Sequence, residues 1–261
     1  LLGIKASEIQ KANLLIENNH FYFGQKVNNS QAITSWNSAE EKFGFDKLQN
    51  EIEIFNKTNK LFKKGISFMP ICFGISFTSS FLNQASALVH VYTDGSVGIS
   101  TAAVEMGQGV NAKIAIAASK VFSIGIDKIK VESTNTTRVA NTSPTAASSA
   151  ADMNGNATIL ACNKILNRLI EFAKKVLQTK EVDLLTIDNG IVLINGVKSE
   201  LTWDELINKA YLNRVSLSAQ AYYSTPGIHF DRNINQGSPF AYHVYGTAIT
   251  TALLDVIRGT Y

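Results

Sequence analysis

Two short segments, poor in charge and rich in small residues, most constrain what this chain can fold into. They are Val104–Val110 (VEMGQGV) and Asn141–Ala150 (NTSPTAASSA), and each precedes an apolar-periodic run that predicts a helix. A helix N-terminus presents unpaired N–H groups and the positive end of the helix dipole, so it attracts anions. Small residues let a ligand approach the backbone closely. The sequence therefore predicts a cradle for a large, anionic, polar ligand.

Composition and motifs exclude several other classes of binding protein. No Gly-Lys-Ser/Thr follows the glycines, and the dinucleotide-binding fingerprint is missing from both segments. The net charge is only +3 and the lysines are scattered, which argues against a nucleic-acid partner. Cys72 and Cys162 are too few for an iron–sulfur or structural zinc site. No apolar run reaches eighteen residues, so we expect no membrane span. Two free cysteines on apolar runs indicate a reducing compartment, and a cytoplasmic location is expected.

The hydrophobic periodicity predicts an α+β fold in which mixed or antiparallel sheets pack against helices in two-layer subdomains. Helices are expected over residues 6–15, 38–61, 111–122, 148–177 and 202–213, the last with a Thr202–Glu205 capping box. Strands are expected over residues 65–77, 129–133, 215–223 and 241–257, with hairpins over 87–101 and 185–197. Because the chain begins at Leu1 without Met and stops soon after a strand-like run, we expect an internal fragment of a longer polypeptide.

Seven motifs, in this order, resemble the molybdopterin-binding part of the xanthine dehydrogenase family of molybdenum hydroxylases. They lie at residues 73–78, 82–96, 105–109, 141–155, 215–219, 223–226 and 242–246. The resemblance implies a fold of the molybdopterin-binding domain type. It divides the chain into a first subdomain region, residues 1–225 with a helical segment at 1–64, and the truncated start of a second, residues 226–261.

The resemblance also implies an activity and a set of partners. The expected reaction is hydroxylation of a purine, such as hypoxanthine or xanthine, at a molybdenum–molybdopterin centre. An aldehyde oxidase-type hydroxylase of the same family remains an alternative, as does a truncated, non-catalytic interaction module. Electrons are expected to leave through 2Fe–2S clusters and FAD on other domains or subunits, and an oligomer is expected.

The resemblance assigns site residues by matching motifs. Gln108, between Gly107 and Gly109, matches a glutamine beside the pterin, and its amide can both donate and accept. The loop Thr145, Ala146, Ala147 and Ser148 matches one that lines the molybdenum pocket. These seven residues are the expected cofactor-binding set, although Gln108 alone would suit a helix cap and the loop alone a Ser-capped helix start.

Other expected roles concern substrate, metal and acid–base chemistry. Phe77 matches one of two phenylalanines that sandwich a flat substrate, although a core phenylalanine is the default interpretation. The family's catalytic glutamate belongs to a Gly-Glu-Pro segment downstream, so no catalytic residue is expected within this fragment. Glu105 is interpreted as a structural hydrogen-bond partner. No side chain of the fragment is expected to ligate the metal directly.

Overall fold

In the computed structural model, which describes residues 3–180 and 182–261, helices and short sheets alternate along the chain. The α-helices of this part are α1 (Ala6–Ala12), α2 (Ala32–Phe43), α3 (Phe45–Thr58), α4 (Val110–Phe122), α5 (Ala150–Leu177) and α6 (Trp203–Leu212). The strands are β1 (Phe62–Ile75), β2 (Gln84–Val91), β3 (Val97–Thr101), β4 (Ile129–Val131), β5 (Leu185–Asp188), β6 (Ile191–Ile194), β7 (Val197–Thr202), β8 (Ser218–Ser224), β9 (His229–Asp231), β10 (Gln236–Ser238) and β11 (Tyr242–Asp255). The predicted α+β class is confirmed.

The chain divides into two compact units. One, the discontinuous unit, contains the residues up to Thr78 together with Gly227–Tyr261; the other, the inserted unit, is Ser79–Pro226. These cuts differ from the expected regions 1–225 and 226–261, because strand pairing joins segments from both ends of the chain into one unit. The assignment of residues 1–225 and 226–261 to two molybdopterin-binding subdomains stays a prediction.

The discontinuous unit is built on a long antiparallel ribbon. Strands β1 and β11 pair without a break from Phe62 opposite Asp255 to Ile75 opposite Tyr242. Helices α2 and α3 pack against this ribbon. Trp36 and Phe68, each 2% exposed, lie at the centre of the resulting core, with their ring centroids 3.8 Å apart. Two buried aromatic side chains contribute large apolar surfaces to this core.

One helix prediction in this unit is wrong. The sequence predicts a single helix over residues 38–61, whereas the structure has α2 and α3 separated by Gly44. Gly44 adopts the left-handed conformation, with φ 59° and ψ 54°, and its N–H donates to the carbonyl of Glu40 at 2.9 Å. A glycine in this conformation is a common way to end a helix. The apolar spacing continues across the break, so periodicity alone did not reveal it.

The inserted unit places two helices against a mixed sheet. The strand order is β4-β3-β2-β8, with β3 and β4 parallel and the other pairs antiparallel. The long helix α5 packs against β2 and β8, and α4 packs against α5. Ile99, Ile114 and Ile165 are fully buried between these layers. The predicted hairpin around Asp94-Gly95 is confirmed as the β2–β3 pair.

A second sheet and α6 complete the inserted unit. Strands β5, β6 and β7 form an antiparallel meander. The capping box predicted at Thr202 and Glu205 is confirmed, because each side chain bonds to the backbone of the other residue. Trp203 follows the cap and donates from its indole N–H to the carbonyl of Gly95 at 2.8 Å. Within the described residues, no helix has both the length and the hydrophobicity needed to cross a membrane.

Candidate functional site

The structure brings the two small-residue segments together in the inserted unit. The N–H of Val104 donates to the hydroxyl oxygen of Thr145 at 2.9 Å, which joins the segment before α4 to the segment before α5. A cavity of about 400 Å³ opens where they meet. Its lining residues are Met106, Gln108, Val110, Lys113, Thr145, Ala146, Ala147, Ser148, Ala150 and Ala151.

The N-terminus of α4 is closed by a carboxylate from its own loop. Oε1 of Glu105 accepts from the N–H groups of Gly107 and Gly109, both at 2.9 Å, and Oε2 accepts from the N–H of Asn111 at 3.1 Å. These hydrogen bonds, with the Asn111 bond the largest contribution, lower the pKa of Glu105 below its usual value. The interpretation of Glu105 as a structural hydrogen-bond partner agrees with this geometry.

Gln108 closes the same loop with its amide. Its Oε1 accepts from the N–H of Met106 at 2.6 Å, and its Nε2 donates to the carbonyl of Val104 at 2.8 Å. An amide group offers two donors and two acceptor positions. One donor and one acceptor position of Gln108 therefore remain for a ligand in the cavity, and the side chain is exposed there.

The N-terminus of α5 is built differently. Among the described residues, no side chain caps it: the N-cap residue is Ser149, whose hydroxyl instead donates to the carbonyl of Ala146 at 3.2 Å. Just before it, Ala147 and Ser148 both hold positive φ angles, 52° and 54°. That conformation is unfavourable for residues with a Cβ, and such strain concentrates at ligand sites. In the part of the chain that the structure describes, the N–H groups of Ala150 and Ala151 in the first turn of α5 consequently have no side-chain acceptor at the edge of the cavity.

Lys113 is a cavity residue that the sequence reasoning missed. It lies in the first turns of α4 and is exposed, and its side chain lines the cavity. None of the described residues lining the cavity is acidic. The cavity therefore combines a full positive charge with the positive end of a helix dipole, which suits an anionic group. The sequence signal that could have indicated Lys113 is its position four residues after Gly109, on the helix that follows the glycine turn.

The remaining predicted site residues lie as follows. Gly107 and Gly109 flank Gln108 in the turn, where both have positive φ, 98° and 74°. Phe77 is half-buried and belongs to the discontinuous unit, so its expected role at the substrate stays a prediction. Within the described residues, no group of three or more His, Cys, Asp or Glu side chains could hold a metal ion.

Comparison with known proteins identifies the family. The sequence model of a family described as the molybdopterin cofactor-binding domain matches residues 38–261. The chain belongs to this family. Both segments around the cavity lie within the matched range. The expected family membership is thus confirmed.

Xanthine dehydrogenases are similar to this chain over almost its whole length. The identity to xanthine dehydrogenase/oxidase of Felis catus is 38% over 259 residues, which are 99% of this chain and 18% of that protein. The identity to xanthine dehydrogenase 1 of Arabidopsis thaliana is 34% over 260 residues, again 18% of that protein. The chain therefore spans about a fifth of the length of these curated relatives.

Solved structures share the fold at lower sequence identity. Quinoline 2-oxidoreductase from Pseudomonas putida 86 superposes with a TM-score of 0.78 at 18% identity, over 99% of this chain and 33% of that chain. The aldehyde oxidoreductase from Desulfovibrio desulfuricans superposes with a TM-score of 0.72, also at 18% identity, over 99% of this chain and 25% of that chain. At such identities the likeness concerns the fold.

Proposed function

We propose that this chain forms part of the cofactor site of a xanthine dehydrogenase-like molybdenum hydroxylase, and that its cavity holds an anionic portion of molybdopterin. The observation that carries the proposal is the difference between the two helix ends at the cavity. The α4 end has an internal carboxylate as its acceptor, whereas the α5 end has no side-chain cap among the described residues. A ligand anion can supply that missing acceptor.

The residues of the cavity fit an anionic, polar cofactor in three ways. The N–H groups of Ala150 and Ala151 donate to the anion, and Lys113 neutralises its charge. Ala146 and Ala147 leave room for the ligand beside the backbone. Gln108 offers its spare donor and acceptor to the polar edge of a pterin. The chain thus binds and orients the cofactor, with Gly107 and Gly109 giving the turn the shape that presents Gln108.

When bound, the molybdenum–molybdopterin group supplies the redox chemistry by which a carbon of the substrate is hydroxylated. We propose a purine as the substrate, because proteins named xanthine dehydrogenase are 32–38% identical to this chain over nearly its whole length. The 2Fe–2S clusters and FAD are proposed to lie on other domains or subunits. Phe77 is proposed to contact the flat ring of the substrate.

The proposal is tested on the full-length protein that contains this chain. Molybdenum and pterin are quantified in the purified protein, and turnover is measured with hypoxanthine, xanthine and an aromatic aldehyde. We expect stoichiometric cofactor and a preference for the purines. Protein that binds no molybdopterin when it is produced in cells that make the cofactor would refute the proposed function.

A pair of matched variants tests the cavity itself. Lys113→Ala should lower the cofactor content, because a charge-assisted contact to an anion contributes about 1.5–3 kcal/mol. Lys120 lies in the last turn of the same helix and gives the control, Lys120→Ala, with an identical change of charge. Equal cofactor content in the two variants would argue against the cavity as the anion site.

A further inference from the structure

We propose that Glu105 is a positioning residue that closes the N-terminus of α4 to anions and so directs the anionic group of the ligand to α5. This inference rests on the proposed function, since it concerns where the cofactor binds within the cavity. It gives a role to the one acidic side chain in the glycine turn, which does not itself line the cavity.

The first step of the argument is that two helix N-termini meet at one small cavity. Val110 and Lys113 of α4 line it, and so do Ala150 and Ala151 of α5. Each helix is long enough for its terminus to attract an anion, with 13 residues in α4 and 28 in α5. Without further features, an anionic ligand would have two competing positions, one at each helix end.

The second step is that Glu105 fills one of these positions. Its two carboxylate oxygens accept from three N–H groups around the start of α4, those of Gly107, Gly109 and Asn111. This is the number of donors that a bound phosphate or carboxylate would use at such an end. The side chain is therefore an internal anion, and its negative charge also repels a second anion from the α4 end.

The third step links Glu105 to Gln108. The two N–H groups that bond Oε1 belong to the residues on either side of Gln108, so the carboxylate holds that residue's backbone from both sides. The amide of Gln108 then bonds to Met106 and Val104, and Val104 bonds to Thr145. Glu105 thereby fixes the turn that presents Gln108 to the ligand, without touching the ligand.

The experiment compares carboxylates that cap two helices of the same unit. Full-length protein is prepared as Glu105→Ala, Glu105→Gln and, as the control, Glu205→Ala, which removes the carboxylate that caps α6. Three quantities are measured: molybdopterin content per protein, the rate of molybdopterin release, and Tm. Release is followed with and without added inorganic phosphate.

We expect Glu105→Ala to release molybdopterin at least roughly tenfold faster than Glu205→Ala, which corresponds to about 1.4 kcal/mol, at a similar loss of Tm. Inorganic phosphate should accelerate release from Glu105→Ala but not from the wild type, because the freed N–H groups of α4 then bind it. Glu105→Gln keeps one acceptor oxygen without the charge, so its release rate should lie between those of Glu105→Ala and the wild type.

The outcomes separate this inference from the proposed function. Equal release from Glu105→Ala and Glu205→Ala, with no effect of phosphate, overturns the positioning role while the cofactor site stands. Wild-type protein without molybdopterin overturns the proposed function itself. If Glu105→Ala does not fold, Glu105→Gln is judged against Glu205→Ala by the same two criteria.

Discussion

The backbone N–H of Val104 donates to Oγ1 of Thr145 across 41 residues of sequence, and this single contact fastens the loop before α4 to the loop before α5. Both loops line the cavity, yet each is held internally by its own hydrogen bonds. We expect the Val104–Thr145 bond to set the spacing of the two loops, and with it the width of the opening between Gln108 and Ser148.

This contact gives the first prediction. Thr145→Val removes the acceptor while keeping the shape, whereas Thr145→Ser keeps the acceptor. Since Val104 is exposed, water can replace the lost acceptor, and the free energy of unfolding should fall by only about 1 kcal/mol. We expect Thr145→Val to release molybdopterin faster than the wild type and Thr145→Ser to behave like the wild type. Identical release from both variants would show that the bond does not set the spacing.

The second prediction concerns Gln108. Gln108→Ala should lower cofactor content more than it lowers Tm, because the exposed amide contributes about 1 kcal/mol or less to folding. Gln108→Glu should be worse than Gln108→Ala, since it adds a negative charge beside an anionic ligand. Asn195→Ala is the control: that amide also makes two hydrogen bonds, to Leu184 and Asp183, but away from the cavity. If both Gln108 variants keep the wild-type cofactor content, Gln108 only stabilises its own loop and does not contact the cofactor.

The third prediction separates a substrate contact from a core contact at Phe77. Phe77→Ala should lower kcat/KM for xanthine more than for acetaldehyde, because stacking orients a flat ring and offers little to a two-carbon aldehyde. Phe68→Ala is the control, since Phe68 is 2% exposed in the core of the same unit. That change should cost about 3–5 kcal/mol of stability and leave the ratio of the two kcat/KM values unchanged. The same pattern in Phe77→Ala would assign Phe77 to the core.

The fourth prediction is a pH dependence at Glu105. Hydrogen bonds from the backbone lower the pKa of this carboxylate from the ordinary glutamate value of 4.5. A lowered pKa means that the ionised side chain favours the folded loop at all pH values above 4.5, and that this contribution is lost as the pH falls through the lower folded-state pKa. Molybdopterin release should therefore accelerate at acid pH. Other carboxylates titrate there too, so the measured quantity is the difference between wild type and Glu105→Gln.

Much of the site could be predicted from the sequence because its determinants are local. The glycines around Gln108 and the small residues after Pro144 indicate where the two helices start. Helices α4 and α5 begin within two residues of the predicted positions. The difference between the helix ends could not be predicted. It depends on which backbone groups the Glu105 carboxylate reaches and on the rotation of the Ser149 hydroxyl toward Ala146.

The parts of the fold that escaped prediction depend on long-range contacts or on single backbone angles. The pairing of β1 with β11 joins residues 167 to 193 positions apart, and no local pattern encodes such a partner. Gly44 lies in a segment whose apolar spacing suits one long helix, so only its left-handed conformation distinguishes two helices from one. Lys113 was missed because an exposed lysine on a helix resembles any solvated residue until the cavity beside it is known.

The pairing of β1 with β11 also dictates an order of events during protein synthesis. All the strands and helices of the inserted unit, Ser79–Pro226, are synthesised before residues 242–255 are made. At a rate of about 5–20 residues per second, translation from residue 226 to 255 takes roughly 1.5 to 6 seconds, which exceeds the folding time of many small domains. The walls of the cavity can thus form on the nascent chain while β1 is still unpaired, because its partner strand β11 has not yet been made. Because β1 is exposed during that interval, it is the segment that a chaperone would need to bind.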